Sequence, residues 1–284
     1  MKTNRASQRG VALIAVLWLV AAMSLIITGI VQAVRSEIRS AAVQRQAVIA
    51  SALGNAAILL ALQNLQSQQQ ELGKTPQTIP VQFQGQGFDV VVQPLNGLID
   101  LNNANVQLFS DMYRYAGGLN PAAAQALAQN TVELRQSTNA KGRIQGFDAV
   151  EDLMRVPGMT YDLYAKINRL ITADLKQGNG RINPMAAPVG VLQVLTSGDA
   201  ARAAILAAGR NTDPKLMDTT FLKPDQIEMA SSLSLQLQAR IDLPGGGFSQ
   251  KTWQVFWAND PRSGLPWRVL GMQQSFQHSV QAGN

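Results

Sequence analysis

From Gly10 to Val34 the chain carries no charged residue and consists mostly of Val, Leu, Ile and Ala. A helix rises about 1.5 Å per residue, so about 20 such residues cross a bilayer core of about 30 Å and this run is long enough to span one. The pattern then changes without a break. From Arg35 to Leu72 there is no Pro and one Gly, and Ile38, Ile49, Leu53, Ala56 and Leu60 recur at roughly helical spacing. The apolar segment is therefore expected to continue as one amphipathic helix of about sixty residues and about 90 Å. Residues 66–80, rich in Gln and Pro, read as a linker. Val81, Phe83, Phe88, Val90 and Val92 predict two short strands around Gly85 to Gly87.

A helical stretch is expected from about Asn103 to Gly209, including an Ala-rich helix from Pro121 to Ala128 in which Pro suits the start after Asn120. Residues 99–104 (IDLNNA) and 182–187 (INPMAA) form a weak repeat, an apolar residue, an Asx and an Ala before a helix. Those Asx residues, Asp100 and Asn183, are expected to cap helix starts. Near the C-terminus the period changes to two. Leu233, Leu235, Leu237, Ala239, Ile241 and Leu243 alternate with Ser234, Gln236, Gln238, Arg240 and Asp242, the pattern of a half-buried antiparallel strand. Pro244 to Gly247 makes a turn, Trp253, Val255 and Trp257 mark a second strand, Asn259 to Gly264 a second turn, and Trp267 to Phe276 a third strand. Periodicity thus gives an α+β arrangement.

Lys2, Arg5 and Arg9 precede the apolar run and no acid does. The positive-inside rule puts residues 1–9 in the cytoplasm and everything after Arg35 on the far side. A removable secretory signal is the competing reading, since Val31-Gln32-Ala33 is a tolerable cleavage site. Against it, the apolar run exceeds the usual signal core, and no turn-former separates it from the helix that follows.

Residues 8–17 (QRGVALIAVL) resemble the processing site of type IV pilin-like proteins. In that family a prepilin peptidase cuts after the Gly and methylates the new N-terminus, which leaves the anchor in the mature protein. The resemblance implies cleavage between Gly10 and Val11, N-methylation of Val11, and Ala15 as the fifth mature residue. Ordinary pilins carry Glu there, thought to pair with the N-terminal amine of a neighbouring subunit. A carboxylate buried in lipid is costly without a partner, so a subunit with nothing above it has no use for one.

The missing Glu resembles minor pseudopilin K of the type II secretion system, the general secretion pathway protein K family. So do the small-residue stretch of residues 52–57 (ALGNAA), the acidic-Leu helix, Val-x-Gly turn and second helix of residues 147–172, and Arg181-Ile182-Asn183 with Ala187 and Val191-Leu192. Pro184, Met185 and Ala186 depart from that family's pattern. The resemblance implies a pilin-like fold with a long N-terminal transmembrane helix, an antiparallel sheet and a large inserted α-helical domain. Its divisions are a prepilin leader at 1–10, the transmembrane part of the helix at 11–34, its periplasmic part at 35–72, the first strands at 80–98, the insert at 99–225 and the last strands at 230–278. It implies a non-enzymatic protein of the bacterial inner membrane, single-pass, with a periplasmic C-terminal domain. The expected partners are minor pseudopilins I and J at the pseudopilus tip, prepilin peptidase and the membrane, with the secretin and the exported proteins as further contacts. The alternatives are a minor pilin of a type IV pilus, or a membrane-anchored helix-hairpin-helix DNA-binding protein.

Composition narrows the chemistry. The chain of 284 residues is 46% hydrophobic and has no Cys, which removes disulfides, thiolate catalysis and Cys-ligated metals. The formal charge of +6 includes three cations of the leader, and no block of five like charges occurs. His278 is the single His, which leaves triads and His-based metal sites almost no material. Val156-Pro157-Gly158-Met159-Thr160 resembles half of a helix-hairpin-helix turn, but Glu151, Asp152 and Asp162 interleave with Arg155, Lys166 and Arg169, so nucleic acid is not an expected partner. Asp148, Glu151, Asp152 and Asp162 offer oxygen ligands for calcium, which K pseudopilins bind. The Asp-Trp-x-Asp stretch of that family is replaced by Glu133-Leu134-Arg135, so no ligand set is assigned. Glu151 and Asp152 equally suit the first turn of a helix. Of Trp253, Phe256, Trp257 and Trp267, one set is expected to be core and the other is open to an interface.

Overall fold

The computed structural model describes residues 7–67, 72–138, 144, 146–173, 178–212, 217–244 and 246–277. The chain divides into two units, residues 1–52 and 53–284. Helix α1 (Ser7–Ser67) supplies the first and continues into the second. It is described as far as Ser67; residues 68–71 lie outside the description, and Leu72, the expected end, lies in a turn. In the first unit every described side chain from Leu13 to Val34 is exposed, including Leu13, Trp18 and Ile27. The helix is long and apolar enough to cross a membrane, with a mean hydropathy of 2.6 in its most apolar window.

The second unit is a mixture of helices and an antiparallel sheet. Strands β1 (Gln77–Phe83), β2 (Gln86–Pro94), β5 (Ser234–Asp242), β6 (Phe248–Phe256) and β7 (Arg268–Gln277) form one sheet in the order β1-β2-β5-β6-β7. All of its neighbours are antiparallel. The first hairpin closes through Gln84 and Gly85, whose φ values of 51° and 78° suit the twist of a two-residue turn. β1 begins at Gln77, inside the expected linker, and contains Pro80. An edge strand tolerates the missing N–H, which is why the Pro does not end it.

The apolar alternation of residues 235–241 becomes the buried face of β5, and Gln236 and Gln238 point the other way. Against the buried face lies the C-terminal part of α1, where Ala57, Ile58, Ala61, Leu62 and Leu65 are fully buried at three- and four-residue spacing. The small residues before them permit the approach. A Cβ at Gly54 would stand 2.7 Å from Lys251 Cβ and 3.6 Å from Ile241 Cδ1. At the next residue, Trp253 Nε1 donates to Asn55 Oδ1 at 3.2 Å.

Residues 95–233 lie between the hydrogen-bonded neighbours β2 and β5 and carry most of the second unit's helix: α2 (Val106–Asp111), α3 (Pro121–Gln136), α4 (Tyr161–Ile167), α5 (Val189–Leu195) and α6 (Ala200–Thr212). Asn120 caps α3 by accepting from Ala123 N, with Pro121 at the first position. Their core gathers Leu101, Leu108, Phe109, Met112, Leu153, Ile167 and Leu192. A parallel pair, β3 (Ile99–Asp100) with β4 (Ile171–Thr172), was not expected and stitches the start of this region to its middle. The two Asx positions of the repeat do not cap helices. Asp100 Oδ1 accepts from Asn102 N and Asn183 Oδ1 from Met185 N, both at 2.9 Å, so each closes a tight turn. The helices that follow begin at Asn105, a true cap, and at Pro188, which supplies no side-chain cap.

Candidate anchor and polar sites

Gly10 and Val11 lie within α1, and Ala15 is exposed on it. Beyond the apolar run, Ile38, Val43, Val48 and Ile49 remain exposed on the same helix among Arg35, Glu37, Arg39 and Arg45. Apolar side chains left in water on a charged helix are surface that a partner helix would bury.

The four candidate calcium carboxylates do not converge, since among the described residues no group of three or more His, Cys, Asp or Glu side chains is placed to hold a metal ion. Asp152 is used locally instead. It accepts from Asp148 N at 2.9 Å and Ala149 N at 3.2 Å at the start of a 3-10 helix, Val150–Arg155, and lies 3.6 Å from Arg155. This is the helix-start role open to an acid at that position. The Pro157-Gly158 turn packs on α3, with Asn130 Nδ2 donating to Pro157 O at 2.9 Å and Gly158 at φ +93°. His278 lies outside the described residues. Of the aromatic cluster, Trp253 and Trp267 are buried, while Phe256 and Trp257 are half-buried. Trp257 and Trp267 meet at 5.5 Å between centroids.

Two buried acids organise the helical region, and pattern reading did not single out their partners. Asp111 accepts from Lys223 Nζ at 2.8 Å, Gln226 Nε2 at 3.2 Å and Gln107 Nε2 at 3.0 Å, tying the segment after α6 back to α2. Asp100 accepts from Asn103 Nδ2 at 2.5 Å and from Asn102 N. Arg135 lies close by, donating to the carbonyls of Leu101 and Ala104. Arg135 thereby serves as a clamp on the turn. Burial pushes the Asp100 carboxyl above its usual value, against the opposing pull of Asn103, Asn102 and Arg135. Burial likewise lowers the Arg135 guanidinium.

The sign of the Asp100 effect follows directly. With its folded pKa raised, the native state holds more protons than the unfolded state above about pH 4, so this group's contribution is present at low pH and lost as pH rises. Asp100→Asn retains an acceptor for Asn102 N and removes the titration. Urea midpoints taken from pH 4 to 7 should move in the variant's favour relative to wild type as pH rises. A constant difference across that range would show that Asp100 is not held up by burial.

The opposite face of the sheet borders a groove of about 980 Å³ whose other wall comes from the 3-10 helix and α4. Gln93, Gln236 and Gln254 form one cross-strand row on that face, and Gln238, Thr252 and Gln273 form the next. The far wall presents Asp148, Glu151, Tyr164, Asn168 and Arg169.

No protein-family model matches this chain, and no curated protein matches it either.

Proposed function

We propose that the chain is a minor pseudopilin of type II secretion, of the K type. In this reading residues 11–34 hold it in the bacterial inner membrane and its C-terminal part is periplasmic. The observation that carries this reading is the continuity of α1. An exposed apolar run long enough to span a bilayer passes without interruption into a helix segment whose apolar side is buried on an antiparallel sheet. A removable signal has no reason to continue as a structural helix of the folded domain; a retained pilin-type anchor does. The sheet with residues 95–233 between two paired strands is read as a pilin-like fold carrying an inserted α-helical domain. Ile38, Val43, Val48 and Ile49 are the surface offered to the helices of minor pseudopilins I and J. Ala15 in place of Glu suits the subunit at the tip. There the role is mechanical and non-enzymatic: to cap the pseudopilus beneath the secretin and support export of folded proteins.

The test is the N-terminal mass of the protein purified from cells with and without prepilin peptidase. The expected product begins at methylated Val11 in the first and is the uncut chain in the second. A product beginning after Ala33, or an uncut chain in both strains, would reject the assignment.

A further inference from the structure

We propose that the glutamine-faced groove binds a neutral oligosaccharide strand. This does not depend on how the N-terminus is processed. Gln93, Gln236, Gln238, Gln250, Gln254 and Gln273 all line the groove from one face of four adjacent strands. Gln93 is engaged with the carbonyls of Pro94 and Ala186. The other five make no side-chain hydrogen bond to protein among the described residues, so their amides are available to a ligand. On the far wall Asn168 Oδ1 is buried without a hydrogen-bond partner among the described residues, an acceptor that lacks a donor. The volume is within the range of about 300–1,000 Å³ usual for ligand clefts.

The chemistry of the walls selects the ligand class. Each glutamine amide offers two donors and an acceptor, and each sugar hydroxyl one donor and two acceptor lone pairs, so the two match at any position along the groove. A polyanion would meet the carboxylates of Asp148 and Glu151. Of the two cations in the groove, Arg240 is already bonded to Asp242 at 3.1 Å and stacked over Phe248 at 4.1 Å, leaving Arg169. An apolar ligand would strip water from the amides and return no hydrogen bond. An extended peptide lying on the face directs its backbone groups sideways, in the plane of its own pleat, so it would meet the amides mainly with side chains. Sugar hydroxyls radiate from the ring and reach both walls.

Titration calorimetry on the full-length protein in detergent tests this. The probes are the hexasaccharides of β-1,4-linked N-acetylglucosamine and β-1,4-linked glucose, with dextran sulfate and an uncharged Gly-Ser peptide as controls. Saturable binding of either hexasaccharide is expected, and the stronger of the two identifies an amino-sugar or a plain hexose strand. Gln238→Ala with Gln254→Ala should weaken it at least tenfold, and Thr252→Trp, which fills the floor between them, should do the same, both with an unchanged thermal midpoint. No binding of either sugar at millimolar concentration, equal affinity in a folded variant, or preference for the sulfated polymer or the peptide would overturn the proposal.

Discussion

Gly10→Leu should leave essentially all of the chain uncut in cells that contain prepilin peptidase, with an intact mass starting at Met1. Gly10 sits within α1, where Gly weakens a helix by about 1 kcal/mol relative to Ala. The scissile peptide must leave the helical hydrogen-bond pattern to enter a protease, and the helix is easiest to open where it is intrinsically weakest. Leu restores helix propensity at that point and adds a side chain where the peptidase would close on bare backbone. Both effects act in one direction. Ala, with no branch and high propensity, separates them: partial processing of Gly10→Ala would assign the larger share to size, and a complete block would assign it to opening of the helix. Normal processing of Gly10→Leu would refute cleavage at this position.

What local pattern encodes was legible and what depends on distant pairing was not. The two-residue period of residues 233–243 became β5, because alternation of buried and open faces is a property of the strand itself. The long uncharged run joined to a Pro-free segment became one helix for the same reason. By contrast, β3 and β4 are two residues each and are defined only by their mutual pairing across the helical region, which no short window contains. Asp100 and Asn183 show a subtler limit. An Asx before a helix can serve the helix or a turn two residues on, and the choice depends on where the helix begins, which Asn105 and Pro188 decide. The four candidate calcium carboxylates were grouped by nearness in sequence, yet the 3-10 turn directs Asp152 to its own backbone. Of the glutamines of the groove, Gln236 and Gln238 were visible as the polar half of an alternation, while Gln93, Gln250, Gln254 and Gln273 were not singled out. Their convergence with residues 148–169 required the fold, since those residues come from the chain between β2 and β5.

Gly97→Val should destabilise the second unit by about 3 kcal/mol, the upper part of the range for overpacking a filled interior. Gly97 is buried, and the turn at Ala186–Ala187 crosses directly over it. Any Cβ there would stand 2.8 Å from Ala187 N and closer still to the Ala186 carbonyl. Three interactions hold that turn in place, so it cannot simply retreat. Asn183 N donates to Asn96 O at 2.8 Å, Gln93 Nε2 donates to Ala186 O, and Arg210 donates to Ala187 O. Moving the turn breaks these together and leaves buried carbonyls unpaired, which adds to the steric term. At roughly 2–4 °C per kcal/mol for a domain of this size, the thermal midpoint should fall by about 10 °C. Gly87→Ala is the matched control, because a Cβ at Gly87 meets nothing within 4 Å. It should leave the midpoint within about 2 °C, the shift expected for roughly 0.5 kcal/mol at an open surface site. Equal midpoints for Gly97→Val and Gly87→Ala would mean that the turn does not pack on Gly97, and that the link between the end of β2 and the helical region is looser than its hydrogen bonds imply.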